Sequence, residues 1–333
     1  MSSGSPPQSR TSQARTAHGP GPWVHALLAR PEAGAAGVLV LLVIALSFLS
    51  PQFLTAGNLM LVARSFSFTA IAALGACLVI LTSGIDLSVG SVMGLAGVSA
   101  GLLAASTGNT ALGIVVGLAL AAVVGLLNGF LSAFVGLAPF MVTLGMLSVV
   151  RGSIVGITGG MPVQGFTEPL LFLGQGYWLG VPVPVWIMIV LAVLMAWVLR
   201  STKLGWYIYS IGGNEEASRL SGVRVVRVKI AVFTLAGLLA GVGGILMTSR
   251  LGVGESTAGV GYELDVIAAA VIGGTSLAGG KGNIVGVIWG AALMGVVRNG
   301  LVLLGVTAYW QQITVGAFIV LAVLIDRLRG GRT

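Results

Sequence analysis

Beyond a polar N-terminal stretch, the residues able to do polar chemistry are few, and most lie beside or inside long apolar runs. Asp86 stands in Gly84-Ile85-Asp86-Leu87-Ser88-Val89-Gly90-Ser91, where one apolar run ends and the next begins. A carboxylate forced to the centre of a membrane helix costs about 2.5–3.5 kcal/mol, a cost this junction avoids. With Ser88 and Ser91 as hydrogen-bonding neighbours, Asp86 suits two roles: a cap on the next helix, or a participant in transport or gating. Asn128, Thr143 and Ser148 are polar groups within apolar runs. Each fits a bond to a neighbouring helix, and each is a candidate for lining a hydrophilic path.

Other constellations fall short of catalysis. Glu263 and Asp265, in Gly261-Tyr262-Glu263-Leu264-Asp265, are two positions apart and do not share a helix face. They suit a helix start and a polar outer mouth. The stretch from Gly273 to Asn283 invites comparison with a phosphate loop and fails it. Thr275 stands where the first glycine belongs, and Gly282 where a Ser or Thr would hold magnesium. A tight turn between spans is the simpler reading. Arg151 and Arg298 fall in the outer halves of their spans, to snorkel outward or line an aqueous path. The 2 histidines, His18 and His25, are both in the N-terminal stretch, so no His-based proton relay or Ser–His pair exists inside the spans. The 1 cysteine, Cys77, reads as packing. No catalytic, cofactor-binding or metal-binding set emerges.

One polar stretch is built differently. Between Arg200 and Lys229, Asn214 reads as an N-cap, Glu215 and Glu216 complement the helix dipole, and Gly222 reads as the residue past the helix end. The result is a helix of about two turns. Alone in water so short a helix is marginal, so it needs something to rest on: the membrane surface, or a cleft in a soluble motor subunit.

The elements that must hold these residues are set by composition. The chain has 333 residues, 56% hydrophobic and 8% charged. A soluble domain carries roughly 25% charged residues; a chain so short of charge needs lipid as its solvent. The 52 glycines lie largely in apolar runs, where small residues let helices approach closely. The net charge of +8 is dispersed between apolar segments rather than gathered on a basic domain, which excludes a nucleic-acid partner. The fold class is therefore all-α, a polytopic transmembrane bundle of about ten spans. They are expected at 36–52, 64–83, 88–107, 110–134, 138–158, 181–199, 228–249, 263–279, 283–304 and 308–326. The span at 263–279 is short and Gly-rich at its end, and a broken or re-entrant segment there is the alternative. Residues 1–35 read as a disordered cytosolic tail, 36–326 as the transmembrane domain with a cytosolic loop at 200–229, and 327–333 as a cytosolic C-terminal tail. Six basic residues lie between 200 and 229, whereas 159–180 has none; both termini are therefore expected in the cytosol. Trp178, Trp186 and Trp206 suit interfacial belts or plain aromatic packing.

Four ordered motifs carry a resemblance: LTSGIDLSVGS at Leu81–Ser91, GVPVPVWIM at Gly180–Met188, LGWYIYSIGGNEEASRLSGV at Leu204–Val223, and TAGVGYELDVIAAAVIGGTSLAGGKGNIVG at Thr257–Gly286. In these the chain resembles the ribose-type permease subunits of bacterial ABC sugar importers, with similarity from about Phe48 to Asp326. The resemblance implies a multi-pass protein of the bacterial inner membrane, working as a homodimer. Its implied partners are a cytosolic ABC ATPase subunit, which binds ATP and magnesium, and an extracytoplasmic sugar-binding protein. It implies that Gly213, Asn214, Glu215, Ala217, Arg219 and Gly222 belong to the segment docking into the ATPase. A small sugar, ribose or a similar monosaccharide, is the expected cargo, and no enzyme activity is expected. Another pentose or hexose, inositol or a nucleoside is an alternative cargo; an ion-coupled secondary transporter is a more distant one.

Overall fold

A computed structural model describes residues 31–330, and the first thirty residues of the expected tail lie outside that range. The described chain is built from helices in the order α1 (Pro31–Leu49), α2 (Ala56–Leu81), α3 (Val89–Thr107), α4 (Thr110–Ala133), α5 (Pro139–Thr158) and the short α6 (Glu168–Gln175). A two-stranded hairpin, β1 (Tyr177–Trp178) and β2 (Val181–Pro182), leads into α7 (Val183–Ser201). Then come α8 (Lys203–Gly213), α9 (Glu215–Leu220), α10 (Val225–Leu251), α11 (Tyr262–Ile272), α12 (Ile284–Leu303) and α13 (Ala308–Gly330).

Local chemistry sets the helix ends. The side chains of Thr55, Asn109, Thr202, Asn214 and Asn283 each accept a backbone N–H at the start of the helix they precede. Gly108, Gly159 and Gly252 close α3, α5 and α10 in the left-handed conformation that a Cβ disfavours.

Helix α10 is the hub and packs against α2, α3 and α4. The approach is backbone to backbone. A methyl group at Gly75 would press on Ala236, at Gly125 on the Phe233 carbonyl, and at Gly244 on the Met93 backbone. The glycines thus act as contact surfaces, as expected where packing replaces the hydrophobic drive between helices.

Among the described residues, seven helices are long and apolar enough to cross a membrane: α2, α3, α4, α5, α7, α10 and α12. In their most apolar windows α2 and α3 are each 78% buried, whereas α5 and α7 are each 22% buried. The second pair exposes Met141, Val149, Val190 and Val193, side chains that lipid solvates and water does not. Seven of the ten expected spans thus coincide with membrane-length helices, and the other three differ in detail. The apolar part of α1 is Gly34–Leu49, on a helix that begins inside the expected tail. Residues 308–326 fall within α13. At 263–279 the helix is α11, only 11 residues. At 1.5 Å per residue that is about half the hydrocarbon thickness, and Gly-rich backbone completes the stretch.

Candidate functional site

At one end of the bundle three separate stretches of chain meet: the α2–α3 connector, the α8–α9 pair, and the Gly-rich turn between α11 and α12. The Gly280 N–H donates to the Leu81 carbonyl at 3.0 Å, and the Ser83 hydroxyl to the Ala278 carbonyl at 3.0 Å. The Tyr209 hydroxyl donates to the Gly282 carbonyl at 2.8 Å, tying α8 to the same turn. Burial pushes the Tyr209 phenol above its usual pKa; the nearby Cys77 raises it further and Arg200 opposes. Gly212 of α8 seats against the Leu81 carbonyl oxygen and the Gly280 backbone, and a methyl group there would overlap both. Ser83, at φ 60°, and Gly279, at φ 89°, turn the two loops toward each other.

Helix α9 projects from this junction. The Asn214 carboxamide oxygen accepts the Ala217 N–H at 2.9 Å and starts the helix. Gly222 follows its end at φ 84°. Ser218 is buried and shares a hydroxyl contact of 2.7 Å with Ser210 of α8. Glu215 pairs with Lys229 of α10 at 2.5 Å and with Arg219 at 3.3 Å. The glutamate therefore fastens α9 to the bundle as well as facing the helix dipole. Gly213, Asn214, Glu216, Ala217, Arg219 and Leu220 are left exposed.

Four of the five path or gating candidates converge just beyond the α2–α3 connector. Asp86 Oδ1 accepts the Ser88 N–H at 2.8 Å and the Ser88 hydroxyl at 2.6 Å. The Asn128 amide of α4 donates to the Ser88 Oγ at 2.9 Å. Thr143 of α5 accepts the Leu87 N–H at 3.1 Å and sits 3.2 Å from the Ile85 carbonyl. All four side chains are buried, and Asn128 Oδ1 has no partner among the described residues. The Asp86 carboxyl, in the connector outside both helices, is raised above the usual carboxylate range by burial, against the opposing Ser88 bonds. The network fixes the connector's shape; among the described residues Asp86 makes no side-chain bond beyond Ser88. Ser148 lies apart from it, exposed on α5, while Ser91 donates to the Leu147 carbonyl.

The opposite end brings Arg151 and Arg298 to the carboxylates Glu263 and Asp265. Arg298 of α12 donates from one Nη to both oxygens of Asp265 on α11, at 2.7 and 2.6 Å. Arg151 of α5 stands 4.0 Å from Glu263. The two carboxylates address different helices, as their spacing requires. Arg64 stacks over Tyr177 at 4.6 Å and donates to the Gln175 carbonyl, and Gln175 bonds the last carbonyls of α10; α6 and the hairpin are thereby fastened across this end.

Sequence reasoning missed Gly212, Ser83 and Tyr209. Gly212 is one of a Gly-Gly pair and Ser83 precedes a glycine, so neither residue type pointed to a contact 68 to 195 positions away along the chain. Among the described residues no group of three or more His, Cys, Asp or Glu side chains could hold a metal ion.

The comparisons with known proteins fit this architecture. A family model described as "Branched-chain amino acid transport system / permease component" matches residues 58–323. The chain belongs to this permease family. The ribose import permease protein RbsC of Escherichia coli (strain K12) is 48% identical over 292 residues, 86% of this chain and 91% of that protein. Its counterpart in Bacillus subtilis (strain 168) is 44% identical over 292 residues, 87% of this chain and 90% of that one. The D-allose transport system permease protein AlsC of Escherichia coli (strain K12) is 36% identical over 293 residues, 87% of this chain and 90% of its own. No solved structure matches the chain. The permease is thus a multi-pass membrane protein, related to transport subunits rather than to enzymes.

Proposed function

We propose that this permease carries ribose, or a closely similar monosaccharide, inward across the bacterial inner membrane as the membrane subunit of an ATP-binding-cassette importer. The observation that carries the reading is the 48% identity to a ribose import permease over 86% of the chain. The family description names branched-chain amino acids, but the curated relatives named above are permeases for sugars. The allose, arabinose and galactose permeases among the relatives, at 36 to 38% identity, favour other aldoses as the second reading.

In this reading the chain crosses the membrane about ten times, counting α1, α11 with its turn, and α13, and both termini are cytosolic. Residues 1–35 and 327–333 are cytosolic tails around a transmembrane domain at 36–326. Two copies form the conduit, an extracytoplasmic binding protein delivers the sugar, and a cytosolic ATPase subunit binds ATP with its magnesium. Helix α9 is the coupling helix. Gly213, Asn214, Ala217 and Arg219 face the ATPase, Glu215 braces the helix, and Gly222 ends it. Its support is the combination of an exposed outer face with anchorage to both glycine-lined turns. A push on α9 passes through Gly212 to Leu81 and Gly280, and from there to the Asp86 connector. Packed backbone transmits such a displacement because it cannot be compressed.

Glu216→Cys offers a test, since Cys77 is buried and the background is silent. A membrane-impermeant thiol reagent is expected to label it in inside-out vesicles and not in right-side-out ones, and labelling to be blocked when the ATPase is bound. Labelling from the extracellular side contradicts the coupling assignment.

A further inference from the structure

At the end opposite α9, a cavity of about 330 Å³ opens between α2, α11, α12 and α13. That is the small end of the range for small-molecule sites, about 300–1,000 Å³. Leu61, Val62, Ala291 and Met294 give it apolar walls; Ser65, Thr69, Arg250, Tyr262, Asp265 and Arg298 give it polar groups.

Four of those polar groups are unused by the protein, whereas Asp265 and Arg298 pair with each other, and two further lining residues, Asn299 and Gln311, bond Asn58 and the Val306 carbonyl. Many helical hydroxyls bond back to their own helix, as Ser67 to the Ala63 carbonyl, Thr234 to the Ile230 carbonyl and Ser249 to the Ile245 carbonyl, although Ser99, Ser132 and Thr248 do not. Among the described residues, Ser65 and Thr69, on the same helix as Ser67, make no such bond, and the Tyr262 hydroxyl and Arg250 guanidinium have no hydrogen-bond partner either. Arg298 spends one nitrogen on Asp265, and its side chain is 48% exposed against 6% for Asp265. Unpaired hydroxyls and guanidinium groups are costly in hydrocarbon, and at membrane depth they face water or a polar ligand.

We infer that this cavity is a hydroxyl-reading site for a neutral polyhydroxylated molecule the size of a monosaccharide, held in the permease itself. The inference rests on the sugar-importer reading above and locates where the cargo is handled in the outer half. A sugar hydroxyl both donates and accepts. The Asp265–Arg298 pair offers an acceptor and a donor side by side, and Thr69, Ser65 and Tyr262 add hydroxyls across the cavity. Asp265 offsets the charge of Arg298, while the unpaired Arg250 leaves one positive charge on the lining, which a neutral sugar would meet with its oxygens as hydrogen-bond acceptors and which the phosphate arm of the test below probes. The apolar walls match the C–H faces of a sugar ring.

The test uses the complete transporter, reconstituted with its ATPase and binding protein. Thr69→Val and Tyr262→Phe each remove one hydroxyl with little change of shape. Each is expected to lower ribose taken up per ATP hydrolysed by about threefold to tenfold, the size of one lost hydrogen bond. The ratio of ribose to 2-deoxyribose uptake should also shift from wild type with the same binding protein present. In a second arm, Ser65→Cys should react with a water-soluble, membrane-impermeant thiol reagent added from outside. Unchanged sugar-to-ATP and sugar-to-sugar ratios, or an unreactive Ser65→Cys, overturn the site. Preferential uptake of ribose 5-phosphate by the wild type overturns its neutral character. A wild-type complex that moves no monosaccharide defeats the importer reading itself, a result distinct from a transporting wild type whose cavity variants behave normally.

Discussion

The two ends of the bundle handle polar groups in opposite ways. At the α9 end Asp86, Ser88, Asn128 and Thr143 bond one another or the backbone, with Asn128 Oδ1 left over, Ser83 bonds the Ala278 carbonyl, and Gly212, Leu81 and Gly280 lock backbone to backbone. At the other end Ser65, Thr69, Tyr262 and Arg250 stand around a cavity without protein partners. On the proposed reading, the close-packed junction transmits displacement and the cavity takes the ligand. Conserving shape at one end and polar capacity at the other suits a protein that is pushed at one end and loaded at the other.

The largest effect should come from breaking the packed end at its tightest point. Gly212→Val inserts a side chain where even a methyl group overlaps the Leu81 carbonyl oxygen. ATP-driven sugar uptake in proteoliposomes should fall at least about tenfold, or 1.4 kcal/mol in the coupled step. Gly145→Ala on α5, where nothing lies within 4 Å, should leave uptake unchanged. Equal losses from both would show that packing at Gly212 has no special role.

Next in size is the exposed face of α9. Arg219→Glu reverses a charge whose ion pair with Glu215 is solvent-exposed and contributes at most about 1 kcal/mol to stability. Sugar-stimulated ATP turnover should drop severalfold while the thermal unfolding midpoint in detergent barely moves. Glu215→Lys should affect both, because it also breaks the pair with Lys229. A variant of Arg219 with normal turnover would remove it from the docking surface.

A smaller effect is expected within the buried network. Asn128→Ala takes one donor from Ser88, and the loss of a buried hydrogen bond costs on the order of 1 kcal/mol. Thermal unfolding in detergent measures it. Smallest is Ser148→Ala, exposed on α5 and outside the network, expected within about 0.5 kcal/mol of wild type with uptake unchanged. A large transport defect there would move the path onto the lipid-facing side of α5.

Much of this architecture was legible in the sequence because the signals were local. Apolar run length marks the spans, and the Asn214, Glu215 and Gly222 pattern marks α9 with its cap and its end. The grouping of Asp86, Ser88, Asn128 and Thr143 was only half legible. Each stood out as a polar residue at membrane depth, yet their meeting depends on how α4 and α5 pack beside the connector. The pairing of Arg298 with Asp265 and the seating of Gly212 on Gly280 were not legible, since both rest on contacts across long stretches of chain and a glycine announces nothing about its neighbours. The short α11 was foreshadowed by its glycines, and the hydrophobicity of 263–279 masked how little of it is helix.

The most direct measurement of the central claim is sugar accumulation in proteoliposomes holding this permease with its ATPase and binding protein. Labelled ribose is expected to accumulate only when ATP and both partners are present, and to stop when the ATPase subunit is omitted. Accumulation driven by an ion gradient without the ATPase, or ATP-driven uptake that ignores monosaccharides, would contradict it.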